Sequence, residues 1–322
     1  MRAGTRSTVT AAVLVVVVLG QALVVWSLAA GRPSLHHADV VVAGPDAVAR
    51  LAADDLRERG GGRLDAVAVA STRDAERAVA DGRAVAGYVI DLRDDRTRVL
   101  LSAANGGRLD AQLRDQGLDV LARYTSTHDV AYVGEPPGEG PSRGLVRTSV
   151  LAAVVLGWLL AIVATVRAGP VDDTFLAGLG RVARLAAGSV GLGVVALVVG
   201  LAAGAGPWLG VVVAASALVA AVTTTALESL LGVYGIAVAT FLFVLSAGPL
   251  LTGAATEMLP DPWSGLTPYL LHGGALDAAD GLVLGLHHRG LHGAAVLLVW
   301  VVGSVLTLTV ARRERQRAGV EL

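Results

Sequence analysis

The sequence predicts an α-helical polytopic membrane protein with six transmembrane helices and an inserted extracytoplasmic α/β domain. Three observations predict it. The 322 residues are 54% hydrophobic and only 16% charged. Mean hydropathy is +0.63, a value at which ordinary soluble domains are rare. The charge is also unevenly placed, because residues 31–147 hold 16 arginines and 18 of the 27 acidic residues while long apolar runs flank them.

Each run is long enough to cross a bilayer, which takes roughly 20 apolar residues. The runs are residues 9–30, 145–166, 185–203, 208–227, 230–253 and 291–311. The uncharged stretch 185–227 exceeds one helix, and Gly204, Gly206 and Pro207 break it into a tight hairpin. The domains are therefore an anchor at 1–30, the outer domain at 31–147, a five-helix membrane domain at 148–311 and a tail at 312–322. Within the membrane domain, 167–184 is a cytoplasmic loop and 252–290 an extracytoplasmic Pro-rich segment.

Orientation follows from arginine at the span ends. Arg2 and Arg6, then Arg167, Arg181 and Arg184, then Arg312, Arg313, Arg315 and Arg317 fall on one side of a six-span chain. That side is cytoplasmic, so both termini lie inside and residues 31–147 outside. A competing reading makes the first run a cleaved signal peptide ending at Ser27-Leu28-Ala29; its length favours a retained anchor.

The outer domain alternates short strands and helices in the order βαβαββαβ. A strand at 40–42 precedes a helix at 46–59 that Gly60, Gly61 and Gly62 end. A strand at 64–70 leads to Ser71 and Asp74, a capping-box pattern opening a helix to Ala80. Strands at 84–90 and 98–103 form a hairpin, and a helix at 108–124 and a strand at 130–133 complete a small α/β sandwich. Residues 134–143 are a Pro- and Gly-rich linker.

Composition excludes several chemistries. With no cysteine there is no disulfide, thiolate nucleophile or iron–sulfur cluster. With no lysine there is no P-loop and no Schiff base. A net charge of −1 gives no footprint for nucleic acid. Mixed charge runs such as Asp54, Asp55, Arg57, Glu58 and Arg59 read as solvated faces, and no acid, base and nucleophile set converges. No cofactor or catalytic residue is expected. His36-His37 reads as juxtamembrane because no third ligand is near, and the trio His287, His288 and His292 reads as interfacial rather than metal-binding because no carboxylate completes its pattern.

The membrane region offers candidates. Ser189 with Gly193, and Gly200 with Gly204, have the spacing for close helix packing. Glu228 lies at a cytoplasmic turn beside Gly232 and Gly235, where it is either hydrated or an intramembrane functional acid. Asp172 and Asp173 open a helix whose apolar stripe is Phe175, Leu176, Leu179 and Val182, with Arg181 and Arg184 near its end. Such a helix lies on headgroups or is offered to a cytoplasmic partner. In the external segment, Pro260, Pro262 and Pro268 punctuate the chain and Trp263 and Tyr269 fit the aromatic belt. Residues 276–286 read as an amphipathic piece with Asp277 and Asp280 on its wet side.

This layout, with DAERAVADGRAVAGYVI (74–90), LLGVYGIAVATFLFVLSAGPLLTGAATEMLP (230–260) and LLVWVVGSVLTLTVARRERQR (297–317), resembles ABC-2-type transporter permeases. The resemblance is to the Pip-like (phage-infection-protein-like) actinobacterial branch. The linker PPGEGPSRG lacks the Asp of that branch's Pro-Gly-Asp-like sequence. The resemblance implies an exporter permease that moves a lipid-like or amphipathic substrate, forms a homodimer and draws energy from a separate ABC ATPase subunit. It makes Asp172, Asp173, Phe175, Leu176, Leu179 and Arg181 an ATPase-coupling loop, and puts Glu228, Pro260 and Trp263 forward as membrane-domain functional positions. The alternative is a cell-envelope scaffold or surface receptor with a ligand-binding outer domain and no transport.

Overall fold

The computed structural model describes residues 34–102, 105, 107–134, 143–168, 175–251, 255–259 and 263–320. The α/β domain is a five-stranded sheet carrying three helices. Its elements are β1 (Ala38–Ala43), α1 (Asp46–Arg59), β2 (Leu64–Val69), α2 (Thr72–Ala80), β3 (Ala86–Asp91), β4 (Arg96–Ser102), α3 (Gly107–Leu121) and β5 (Thr127–Val133). The strand order is β2-β1-β3-β4-β5, and only the β3–β4 hairpin pair is antiparallel.

Alternation along β1 sorts the two faces. Val40 and Val42 join α1 and α3 in one core, and Val41 and Ala43 join α2 in another. The Ser71 hydroxyl accepts the Asp74 N–H, so the predicted cap opens α2. Tyr88 is fully buried and donates its hydroxyl proton to the Leu113 carbonyl at 2.7 Å. Its ring lies so close to Gly117 that any side chain there would overlap it.

The helical part comprises α4 (Arg143–Ala168), α5 (Phe175–Ala202), α6 (Trp208–Leu231), α7 (Val233–Thr240), a π-helical turn (Phe241–Leu245) and α8 (Gly248–Leu251). A 3₁₀ turn (Thr256–Met258), α9 (Trp263–Leu266), a second 3₁₀ turn (Thr267–Tyr269), α10 (Leu271–Val283) and α11 (His287–Val320) complete it. Among the described residues four helices are long and apolar enough to cross a membrane: Arg143–Arg167, Gly178–Ala202, Trp208–Leu231 and His287–Arg313. The chain is a helical membrane protein with a small α/β domain.

Three expectations change. The 230–253 run is not one straight helix: Gly232, with φ +62°, turns the chain out of α6, and the π-helical turn at Phe241–Leu245 separates α7 from α8. The loop helix expected near 172–184 is the start of α5 itself, because nothing between Val182 and Leu185 breaks the helix. Most of the 276–286 piece belongs to α10, which ends at Val283 and is buried along α11 instead of lying wet-side out. The predicted first span, residues 9–30, lies outside the described residues.

The α5–α6 hairpin forms as expected, with Gly204 and Gly206 at φ +75° and +65°. The helices then close on small residues: Gly193 faces Ala214 and Gly210, and in α4 Gly157 sits directly on the Ala217 backbone of α6. A Cβ at Gly157 would overlap that carbonyl. Gly157→Val should therefore destabilise the bundle by about 1–3 kcal/mol through overpacking. Gly303→Val, whose site on α11 is open, should change little. Thermal unfolding of the two variants in one lipid system checks this, and equal midpoints would refute the close α4–α6 contact.

Candidate functional site

Two charged centres stand at opposite ends of the helices. The first joins three helices. Arg181 on α5 and Glu228 on α6 are 2% and 3% exposed, and Arg181 Nη2 donates to Glu228 Oε2 at 3.1 Å. Thr165 on α4 donates its hydroxyl to the same oxygen at 2.5 Å and accepts from Arg181 in turn. Glu228 Oε1 is buried without a hydrogen-bond partner among the described residues. Removing two charges from water costs several kcal/mol per ion, so such a pair persists only where partners converge on it.

Two residues read as separate candidates in the sequence are thus one pair. Glu228 is buried at its turn instead of exposed, and Gly235 packs directly onto the Leu227 backbone at the same α6–α7 corner. Leu179 remains 55% exposed on the surface of α5. The side chains of Phe175 and Leu176, and residues Asp172, Asp173 and Pro260, lie outside the described residues. Trp263 is half-buried against the core at the opposite end of the molecule, where it joins neither the pair nor the loop.

The second centre is where the α/β domain rests on the α10–α11 hairpin. The His288 N–H donates to the Asp81 carbonyl at 3.0 Å, and the His36 N–H to the Glu257 carbonyl at 2.7 Å. Gly82, at φ +74°, brings its turn onto Leu286 and Arg289. Beneath the joint, Arg289 donates to Glu257 at 2.6 Å and lies 3.5 Å from Asp280. His292 pairs with Asp277 at 2.9 Å and meets the Tyr269 ring edge-on, centroids 5.9 Å apart. The hairpin is tight because Gly281 faces Gly290, and Gly293 faces Ala278 and Gly274.

Sequence reasoning sets Asp277 and Asp280 on a wet face and misses this network. Its signal is present, since Arg289 is the one arginine among Glu257, Asp261, Asp277 and Asp280 in the 252–290 segment. Among the described residues no three His, Cys, Asp or Glu side chains are grouped to hold a metal.

The electrostatics differ across the network. Burial pushes the Glu257 carboxyl up, but the Arg289 charge and hydrogen bond overcome it and hold the group below its ordinary value. For Asp277 burial wins over Arg289 and His292, and its carboxyl rises from 3.8 to about 6. A carboxyl raised in the folded state costs nothing below pH 3.8 and is penalised as pH climbs through about 6. Asp277→Asn should thus stabilise the protein at pH 8 by about 2 kcal/mol and have no such effect near pH 3.5. Paired melts across that window check it, and a pH-independent difference would contradict it.

Comparison with protein-family models, with curated proteins and with solved structures finds no match.

Proposed function

We propose that this chain is the membrane-embedded subunit of an exporter of the kind ABC-2-type permeases exemplify. In this reading it crosses the bilayer six times, with both termini and the 167–184 segment cytoplasmic and the α/β domain outside. It moves an amphipathic or lipid-like substrate with energy from a separate ATPase subunit. The observation that carries the reading is the Arg181–Glu228 pair. An ion pair inside a bilayer-spanning bundle is costly and marks function by default. Arg181 stands on the first turns of α5, at the end of the 167–184 segment that would meet an ATPase. Its partners belong to α4 and α6, so a push on that segment reaches three helices at once. Rearranging such a pair is a discrete two-position event, as alternating access requires.

The test is affinity purification of the tagged chain from native membranes, combined with export assays in a deletion strain. An ABC ATPase should co-purify, and Leu179→Glu should weaken that association. Recovery without any ATPase, together with unchanged export in the deletion strain, would sink the proposal.

A cavity of about 560 Å³ between the α/β domain and the α10–α11 hairpin favours a second reading, a surface receptor in which that domain and hairpin bind a ligand and the helices only anchor it. That reading predicts outer-face binding that ignores changes at Leu179 or Arg181.

A further inference from the structure

The joint between the α/β domain and the α10–α11 hairpin holds a half-open cavity of about 560 Å³. Small-molecule sites occupy roughly 300–1,000 Å³ and combine an apolar wall with a few convergent polar groups. Here the polar lining is mixed in sign but not balanced. Arg83 is matched by Asp81 at 3.0 Å, and Arg289 is shared between Glu257 and Asp280. Both guanidiniums of the lining are therefore already engaged by carboxylates, and His292 is engaged by Asp277.

Asp39 differs. β1 carries it to the cavity, yet among the described residues its carboxylate receives no hydrogen bond and makes no ion pair. The residue as a whole is exposed, and partial desolvation, then the nearby charges of Asp65 and Glu257, raise its carboxyl above the ordinary value. The charges that act on one another around the cavity are the carboxylates Asp39, Asp65, Glu257, Asp277 and Asp280 and the guanidiniums Arg143, Arg147 and Arg289. With the imidazoles counted neutral, the carboxylates outnumber the guanidiniums by two.

The apolar wall is formed by Val85, Pro268 and Leu291. Leu291 is 73% exposed at the head of the apolar run of α11, and Tyr269 beside it is 67% exposed. The wall thus leads onto the exposed apolar surface of α11, a helix long and apolar enough to cross a membrane. An anion entering here would meet surplus negative charge and no unengaged guanidinium. A hydrated divalent cation would need several oxygen ligands, and only Asp39 is unengaged.

We infer that this cavity binds an organic monocation with an apolar tail, its head on Asp39 and its tail along Leu291 toward the bilayer. The site rests on its own geometry and does not require transport.

The probe is n-hexylamine, titrated calorimetrically into the full-length chain in nanodiscs of neutral phosphatidylcholine, with heats from empty nanodiscs subtracted. Hexanoate and hexanol keep the tail without the positive charge, and ethylamine keeps the charge without the tail. Hexylamine should bind saturably, ethylamine more weakly, and hexanoate and hexanol not at all. Losing a charge-assisted contact at Asp39→Asn should weaken hexylamine about 10- to 100-fold. Asp74→Asn, on the cap of α2, should bind as the unsubstituted chain does. Because Asp39→Asn removes a repelled charge, its thermal midpoint should hold or rise, which separates lost binding from lost folding. Equal affinity for hexanoate, or undiminished binding by a folded Asp39→Asn, would overturn the assignment. Hexylamine binding by a chain with no ATPase partner and no export would leave the site standing and remove the exporter reading.

Discussion

Glu228→Ala is expected to lower stability by about 3–5 kcal/mol, because it strands the Arg181 guanidinium in a site built around its counter-charge. Arg181→Ala should cost a similar amount, since Glu228 already has one oxygen without a partner. The informative variant replaces both, as Arg181→Met with Glu228→Leu. Buried ion pairs exchanged for apolar residues of similar size are often neutral or stabilising, so the double variant should recover most of the lost stability. If the pair serves only to hold α4, α5 and α6 together, every measured property should recover with it. If it is the element that switches, stability returns while export stays lost. Thermal unfolding and export assays on the three variants separate these outcomes. Full recovery of export in the apolar double variant would remove the observation on which the exporter reading rests.

The legible parts of the fold are those set by local rules. Ser71 and Asp74 predict the start of α2 from capping alone. Gly204, Gly206 and Pro207 predict the α5–α6 turn because only glycine enters its left-handed conformations cheaply. The 230–253 run misleads for a physical reason. Hydropathy averages over a window and is blind to backbone geometry, so it cannot register Gly232 or a π-helical turn at Phe241–Leu245. The run of α10 along α11 escapes as well. It depends on Gly281 meeting Gly290 and Gly293 meeting Ala278, which is a relation between segments.

The candidate sites divide in the same way. Arg181 and Glu228 are each visible as charges in apolar text, but their pairing spans 47 residues and no spacing rule joins them. Asp277 and Asp280 look wet because an acid on an amphipathic helix normally is. Here one arginine, Arg289, makes burial tolerable for its neighbours. Nothing in the sequence distinguishes Asp39, which is one acid on a short strand. It gains meaning only when the α/β domain rests on the hairpin and leaves it facing a cavity.

That resting position should depend on Arg289 more than on any other single side chain. In Arg289→Gln, Glu257 and Asp280 keep only 16% and 13% exposure and lose the guanidinium that both share. Breaking a buried pair from one side costs about 3–5 kcal/mol, and here the loss falls on the joint between domains. Arg289→Lys should be intermediate, because an ammonium supplies the charge but not the two-pronged geometry. The chain has no cysteine of its own, so nitroxide labels at Asp81→Cys and Leu282→Cys report on the joint without background. The expected spin–spin distance distribution is narrow in the unsubstituted joint, broad in Arg289→Gln and partly narrowed again when Glu257→Gln is added. Rescue by that second change is the decisive result, because it would show that stranded negative charge, rather than lost packing against Gly82, loosens the domain. A distribution left narrow by Arg289→Gln would mean that the backbone bonds from His36 and His288 hold the domain without the ionic network.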